Sequence, residues 1–247
     1  MVLMKPTAIV TGASGGIGEA IVRRLIADGY RVGGVDFRAS SDKYDGPDRI
    51  NIQADVSSRV EMEDAFASIA EAIGPVSLVV CNAGYLRYQP FTELSQEDWD
   101  RTIAVDLTGV FIAAQLGARQ MIDAELRGSI IIMGSISGEL PSRTQGHYSS
   151  AKAGAGTLAR SLAWELGASG IRVNSISPGW VDTALTADYL ADPASRREVE
   201  DTIPLGRVGT PDDIADLVSF LASPRASYIT GTSIRIDGGL IAGKDKK

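Results

Sequence analysis

The residues with the clearest chemical potential are a tyrosine and a lysine, Tyr148 and Lys152, at the start of a predicted helix over 149–166. Residues four apart on a helix project from the same face, so the two side chains should lie side by side. A nearby ammonium favours the tyrosinate and is expected to lower the tyrosine pKa towards the working pH. Tyr148 is therefore a candidate general base for alcohol oxidation or general acid for carbonyl reduction.

Ser135 precedes Tyr148 by thirteen residues and lies at the end of a predicted strand over 129–133. The ligand crevice of a parallel sheet opens at that end of its strands. A serine hydroxyl there can donate to a developing alkoxide and hold the substrate oxygen. The chain has one cysteine and one histidine, so no metal centre is predicted for this chemistry.

A glycine-rich run from Thr11 to Gly18 follows the first predicted strand and opens the first predicted helix. Glycine suits a tight turn, and its missing Cβ lets a pyrophosphate approach the amides at a helix N-terminus. The run therefore predicts a dinucleotide site, whose members are Gly12, Ser14, Gly16, Ile17 and Gly18.

The end of the second predicted strand supplies an acidic residue, Asp36, eighteen positions after the last glycine of the turn. At that spacing a carboxylate can accept hydrogen bonds from the adenosine ribose and repel the 2′-phosphate of NADP. No lysine or arginine lies in the glycine turn, whereas Arg38 could clamp a phosphate. NAD is therefore favoured, with NADP as the alternative.

Short β-rich runs alternate with helical patterns along the whole chain, which predicts parallel pairing. The predicted strands cover 7–11, 30–36, 49–53, 76–80, 129–133, 172–177 and 233–236, and the predicted helices 17–28, 60–73, 99–127, 149–166 and 211–221. No linker interrupts the 247 residues. We expect one α/β domain over 1–247, a doubly wound parallel sheet of about seven strands flanked by helices.

The composition restricts the partners and the location. The net charge of −7 disfavours nucleic acid and anionic membrane surfaces, and no apolar run approaches the roughly 20 residues of a membrane span. The start of the chain lacks a signal-peptide pattern. The sequence predicts a cytoplasmic protein that acts on a small molecule.

Taken together, the motifs resemble those of the short-chain dehydrogenase/reductase family over nearly the whole chain. The matching runs are Thr11 to Gly18, Asp55-Val56, Asn82-Ala83-Gly84, Ser135, Tyr148-Ser149-Ser150-Ala151-Lys152, Pro178-Gly179 with Thr183, and Asp237-Gly238-Gly239. The resemblance implies a single Rossmann-like domain, a pyridine-nucleotide oxidoreductase and a homotetramer.

The resemblance also implies roles for residues beyond the glycine turn. It puts Asp55, Val56, Asn82, Ala83 and Gly84 near the adenosine half of the cofactor, and Tyr148 and Lys152 near the nicotinamide ribose. On the nicotinamide side it puts Pro178, Gly179, Val181 and Thr183. A substrate lid is expected over about 183–203, within a segment from Trp180 to Ile203 that reads as helical but poorly packed, and a frayed tail over 244–247.

One position departs from the family pattern. Similar proteins usually carry an asparagine in the long helix before the fifth strand, where this chain has Asp106. Aspartate matches the shape of asparagine but lacks the amide donor and adds charge near Lys152. We expect Asp106 to belong to the catalytic set and to be tolerated there.

The substrate pocket is the least determined part of the sequence. Ser137 and His147 are expected at its rim, and Trp180 and Tyr189 on its lid, with Leu185 and Leu190 as further apolar contacts. These residue types suit a sugar, a polyol or a cyclic alcohol. The predicted function is NAD-dependent interconversion of a secondary alcohol and its ketone. The alternatives are an NADP-dependent carbonyl reductase and a dinucleotide-binding regulatory protein that has lost its catalytic activity.

Overall fold

A seven-stranded sheet forms the centre of the computed structural model, which describes residues 5–38 and 46–243. Its strands are β1 (Thr7–Thr11), β2 (Arg31–Asp36), β3 (Arg49–Gln53), β4 (Val76–Cys81), β5 (Gly128–Met133), β6 (Ile171–Pro178) and β7 (Ser233–Ile236). They are ordered β3-β2-β1-β4-β5-β6-β7 and every adjacent pair is parallel. The order reverses between β1 and β4, where a ligand crevice is expected.

Helices cover both faces of this sheet. They are α1 (Gly16–Ala27), α2 (Arg59–Ile73), α3 (Gln96–Ile103), α4 (Gly109–Asp123), α5 (Gly146–Leu166), α6 (Ala187–Leu190), α7 (Pro193–Thr202) and α8 (Pro211–Ala222). One apolar layer lies between the sheet and α2, α4 and α5, and another between the sheet and α1 and α8. None of the helices in the described ranges has the length and apolar character of a membrane span.

The buried strands explain the layered arrangement, because both of their faces need a cover. All five residues of β1 are buried, as expected for the centre of a parallel sheet. Gly33 in β2 brings α2 close, since a Cβ there would lie 2.6 Å from Ile69 Cδ1. The predicted α/β fold and its parallel sheet of seven strands are confirmed.

The helix predicted over 99–127 begins and ends earlier than expected, and it contains a π-helical turn. The chain forms α3, then a π-helical turn over Ala104–Thr108, then α4, which ends at Asp123. A π-helical turn contains one extra residue, which shifts the face that the following side chains present, and the sequence analysis did not predict it. The widened turn contains Asp106, at the centre of the molecule.

The segment before α8 is helical as predicted but better packed than its composition suggests. The side chains of Leu190, Val199 and Ile203 form a small apolar cluster with Val208. Leu190 is buried inside that cluster, so it is not available as a substrate contact. The tail predicted to be frayed, 244–247, lies outside the described residues.

Candidate active site

A cleft of about 650 Å³ opens at the carboxyl ends of the central strands, a volume typical of small-molecule sites. Most of the residues that the sequence analysis selected line it. They are Gly12, Gly16, Ile17, Asp36, Asp55, Val56, Asn82, Ala83, Gly84, Ser135, Tyr148, Lys152, Pro178, Gly179, Val181 and Thr183. The fold thus brings the glycine turn and the Ser-Tyr-Lys set to one crevice.

The glycine turn has the backbone that its sequence predicts. Gly12 and Gly16 have φ values of +66° and +52°, where side chains are strained. A Cβ at Gly18 would lie 1.9 Å from the carbonyl oxygen of Gly12, so the turn can close only with glycine there. No side chain caps the N-terminus of α1. The Gly18 N–H donates to the Gly15 carbonyl oxygen at 3.1 Å. The first N–H groups of a helix, before that bond, can bind an anion such as a pyrophosphate.

Asn82 braces this turn from the neighbouring strand. Its Nδ2 donates to the carbonyl oxygens of Thr11 and Gly12, at 3.0 and 3.2 Å. The backbone N–H groups of Asn82 and Ala83 donate to Thr11 Oγ1 at 3.0 and 3.1 Å. These contacts fix the shape of the turn before any ligand binds.

Asp36 is held at the edge of the cleft by two backbone donors. Its Oδ2 accepts from the N–H of Ser14 and its Oδ1 from the N–H of Arg38, both at 2.9 Å. Ser14 thus acts through its backbone and does not itself line the cleft. The Arg38 side chain is 72% exposed, with Nε 3.7 Å from Asp36 Oδ1. The largely buried carboxylate of Asp36 and the exposed guanidinium of Arg38 therefore lie side by side at this edge of the cleft.

Phe37 and Arg101 also line the cleft, and the sequence analysis missed both. The guanidinium carbon of Arg101 lies 5.7 Å from the Phe37 ring centroid, and its Nη1 is 2.9 Å from Asp55 Oδ2. Burial opposes ionisation of Asp55, but hydrogen bonds from Ser57 and Arg101 outweigh it and lower its pKa. The position of Phe37 directly after Asp36 could have predicted its place in the cleft. No neighbouring residue in the sequence predicts the place of Arg101.

The candidate reacting centre combines β5 and α5. Because α5 begins at Gly146, Tyr148 lies in its first turn and Lys152 one turn later. Lys152 Nζ is 5.5 Å from the Tyr148 ring centroid and donates to the carbonyl oxygen of Met133 at 3.0 Å. The Ser135 hydroxyl also lies near the Tyr148 phenol and favours its ionised form. A serine, a phenol and an ammonium therefore converge on one point of the cleft.

The expected lowering of the Tyr148 pKa is wrong for this structure. Burial raises it, because the tyrosinate would lose its hydration. The ammonium of Lys152 offsets this only in part, and the carboxylate of Asp106 raises the pKa further. The net direction is upward, so Tyr148 holds its proton more firmly than the Tyr-Lys spacing alone predicts.

Asp106 lies behind this centre and does not line the cleft. Its Oδ1 is 2.9 Å from Lys152 Nζ, and its Oδ2 accepts from the backbone N–H of Tyr85 at 3.0 Å. Burial raises its pKa, partly offset by Lys152. Burial also disfavours the charge on Lys152, but Asp106 and Tyr148 outweigh it and raise the lysine pKa. The two side chains form a buried ion pair.

The residues expected around the substrate contact one another or other side chains. Trp180 and Tyr189 stack, with ring centroids 5.4 Å apart and planes inclined by 25°. Ser137 Oγ donates to Gln145 Oε1 at 3.0 Å. Ser137, Trp180 and Tyr189 are not among the described residues that line the cleft.

His147 is not at the pocket rim. Its imidazole is fully buried, and neither nitrogen has a hydrogen-bond partner among the described residues. Helical geometry explains the error, because adjacent residues on α5 point about 100° apart, so Tyr148 reaches the cleft while His147 turns inward.

Comparison with known proteins identifies the wider group. The model of the family described as Enoyl-(Acyl carrier protein) reductase matches residues 12–241. The chain is 37% identical to 3beta-hydroxysteroid dehydrogenase 1 of Eggerthella lenta, covering 95% of the chain and 93% of the relative. It is 40% identical to (3R)-3-hydroxyacyl-CoA dehydrogenase of Mus musculus, covering 96% and 97%. It is 37% identical to L-rhamnose 1-dehydrogenase (NAD(P)(+)) of Azotobacter vinelandii, covering 97% and 98%.

A solved structure shares the fold. The short-chain dehydrogenase/reductase SDR:Glucose/ribitol dehydrogenase of Brucella melitensis superposes with a TM-score of 0.87 at 32% identity, over 95% of this chain and 96% of that one. The relatives act on different alcohols but are all dehydrogenases of CH–OH groups. This chain is a member of the short-chain dehydrogenase/reductase family and an NAD(P)-dependent oxidoreductase of secondary alcohols.

Proposed function

We propose that the protein interconverts a hydroxylated secondary alcohol and its ketone with NAD, using Tyr148 as the acid/base group. The observation that carries this proposal is the convergence of Ser135, Tyr148 and Lys152 on the cleft that also contains the glycine turn and Asp36. The reaction needs a proton carrier and a dinucleotide site at the same place, and this cleft offers both.

The cleft fits a nicotinamide dinucleotide. The uncapped N-terminus of α1 suits its pyrophosphate, and the fixed carboxylate of Asp36 suits two ribose hydroxyls better than a 2′-phosphate. Bound there, the dinucleotide supplies or accepts the hydride. The exposed Arg38 keeps NADP as the alternative.

The proposed division of work follows from the geometry. In the reducing direction Tyr148 donates its proton to the carbonyl oxygen, and in the oxidising direction it accepts the proton of the alcohol. The Ser135 hydroxyl donates to the substrate oxygen and holds it at Tyr148. Lys152 stabilises the tyrosinate that each turnover in the reducing direction forms.

The groups beside Tyr148 support a hydroxylated, ring-like substrate. Tyr88 interacts electrostatically with both Tyr148 and Tyr189. Trp180 stacks on Tyr189. Aromatic faces with polar tips suit the apolar faces and the hydroxyls of a sugar or cyclic polyol. The L-rhamnose dehydrogenase relative acts on such a molecule, according to its name.

Two further expectations remain proposals. Residues 183–203, which contain α6 and α7, are proposed as the substrate lid because their N-terminal part lines the cleft. The homotetramer is supported by aromatic residues exposed on the outer faces of α4 and α5, Phe111 and Trp164, the latter 92% exposed. Exposed aromatic residues on the surface of helices favour packing against another copy.

The test is turnover of NAD or NADP with a panel of sugars, polyols and cyclic secondary alcohols, followed by the absorbance of the reduced nicotinamide. Tyr148→Phe should lower turnover at least about a hundredfold, because the proton carrier is lost, while NADH still binds. Tyr228→Phe, at a fully exposed tyrosine, is the matched control. Undiminished turnover in Tyr148→Phe would refute the proposal. NADH binding without turnover on any substrate would favour the regulatory alternative.

A further inference from the structure

Asp106 and Lys152 form a buried ion pair beside Tyr148. The side chain of Asp106 is 0% exposed and that of Lys152 is 3% exposed. Both carboxyl oxygens of Asp106 face nitrogen donors, namely Lys152 Nζ at 2.9 Å and the Tyr85 N–H at 3.0 Å. An ammonium and a backbone N–H both favour the ionised carboxyl over the protonated one, so the geometry favours the carboxylate.

This carboxylate competes with Tyr148 for the charge of Lys152. The ammonium lies 5.5 Å from the phenol ring and attracts a tyrosinate. Asp106 Oδ1 lies 2.9 Å from the same ammonium and, because both side chains are buried, its negative charge cancels much of that attraction. A neutral amide of the same shape would leave the attraction in place.

We propose that Asp106 is a positioning residue that sets the proton affinity of the reacting centre: by pairing with Lys152 it keeps Tyr148 protonated to a higher pH than an isosteric amide would. The inference rests on the proposed acid/base role of Tyr148. A tyrosine that retains its proton is a ready general acid, so the pair favours carbonyl reduction near neutral pH. Alcohol oxidation, which needs the tyrosinate, is moved to more alkaline pH.

Other polar and ionisable groups face the same centre from the elements packed around it. The Ser135 hydroxyl and the Tyr88 phenol interact with Tyr148. Cys81, at the end of β4, stays a neutral thiol because burial raises its pKa to about 12. The remaining group is His147, which interacts with Asp106. Its contribution therefore has to be separated from that of Asp106.

The direct test is a tyrosinate titration, because it needs neither a substrate nor turnover. Tyrosinate absorbance is measured as the pH rises, for the wild type and for Asp106→Asn. Each titration is repeated with Tyr148→Phe in the same background. The difference between the two curves is the titration of Tyr148. We expect Asp106→Asn to move the Tyr148 midpoint to lower pH by about one unit, a typical effect of one adjacent charge. An unchanged or higher midpoint overturns the proposal.

Two further variants keep the test sharp. Asp106→Ser removes the same carboxylate and should move the midpoint in the same direction, which covers the case in which Asp106→Asn does not fold. His147→Gln keeps the carboxylate and should leave the midpoint within about 0.3 unit of the wild type. A shift produced by His147→Gln and by neither Asp106 variant overturns the proposal, since it would assign the effect to the histidine.

Activity supplies an independent readout of the same proposal. The pH profile of kcat/KM for alcohol oxidation should move towards acid in Asp106→Asn by the amount seen in the titration, with little change in KM. A purely structural role would instead lower kcat at every pH and leave the profile in place, and that result overturns the proposal. A shifted titration without turnover on any substrate would refute the proposed function and support the electrostatic effect of Asp106.

Discussion

Replacing Asp36 with asparagine tests which cofactor the cleft selects. The carboxylate is held by the N–H groups of Ser14 and Arg38, at 2.9 Å each, and its side chain is only 12% exposed. Asparagine keeps the shape but removes the charge, and it turns one amide N–H₂ towards a backbone donor. The variant therefore weakens the hold on a ribose and removes the repulsion of a 2′-phosphate.

The size of the effect follows from these two terms. A hydrogen bond to a charged group contributes about 1.5–3 kcal/mol and a neutral one about 0.5–1.5 kcal/mol. Losing the charge at two ribose hydroxyls thus costs about 2–3 kcal/mol, or roughly 30- to 140-fold in NADH affinity. For NADPH, two like charges about 5 Å apart repel by about 3 kcal/mol at an effective dielectric constant of about 20. The ratio of the two affinities should change at least about a hundredfold.

The assay is a fluorescence titration of NADH and NADPH with the purified protein, which requires no substrate. Asp212→Asn is the matched control, because it removes an exposed carboxylate of α8 whose partner is Arg23. A change of less than threefold in the affinity ratio of Asp36→Asn would refute the reasoning. Arg38→Ala separates the alternative: if the guanidinium clamps a phosphate, this variant loses NADPH affinity selectively.

Three further predictions concern the scaffold. Gly18→Ala should abolish NADH binding, because the new Cβ would lie 1.9 Å from the Gly12 carbonyl oxygen; normal affinity in the same titration would contradict the account of the turn. Phe66→Ala should lower the free energy of unfolding by about 3–5 kcal/mol in urea titrations, because this ring is the largest fully buried side chain in the described ranges. A loss under 1 kcal/mol would contradict it. Cys81 should resist alkylation in the native protein and react after unfolding, since burial excludes the reagent and raises its pKa to about 12. Rapid labelling of the native protein would show that its strand opens readily.

The parts of the molecule that the sequence predicts well are those that depend on neighbours along the chain. The glycine turn is one, because Gly12 and Gly16 adopt a backbone conformation that their residue type permits. The pair Tyr148 and Lys152 is another, because four residues on a helix bring two side chains to one face. In both cases residues close together in the sequence are enough to predict the local geometry.

The parts that the sequence predicts poorly depend on contacts between distant segments. Arg101 reaches Asp55 across 46 residues, and no local pattern announces that contact. The inward turn of His147 depends on what packs against α5. The direction of the Tyr148 pKa shift depends on burial and on Asp106 as well as on Lys152, and burial is a property of the folded molecule.

Two aspartates, Asp36 in the cleft and Asp106 behind it, show why residue type alone does not decide a role. Asp36 lines the cleft beside the exposed Arg38, so its charge acts on what binds there. Asp106 is buried against Lys152, so solvent does not screen its charge, which acts on the proton of Tyr148. Substitution of Asp36 should therefore change cofactor affinity and its dependence on salt, whereas substitution of Asp106 should change the pH dependence of the chemistry and leave cofactor selectivity in place. A variant of either residue that changed both cofactor selectivity and the pH dependence would mean that the ribose site and the reacting centre are coupled through the bound dinucleotide.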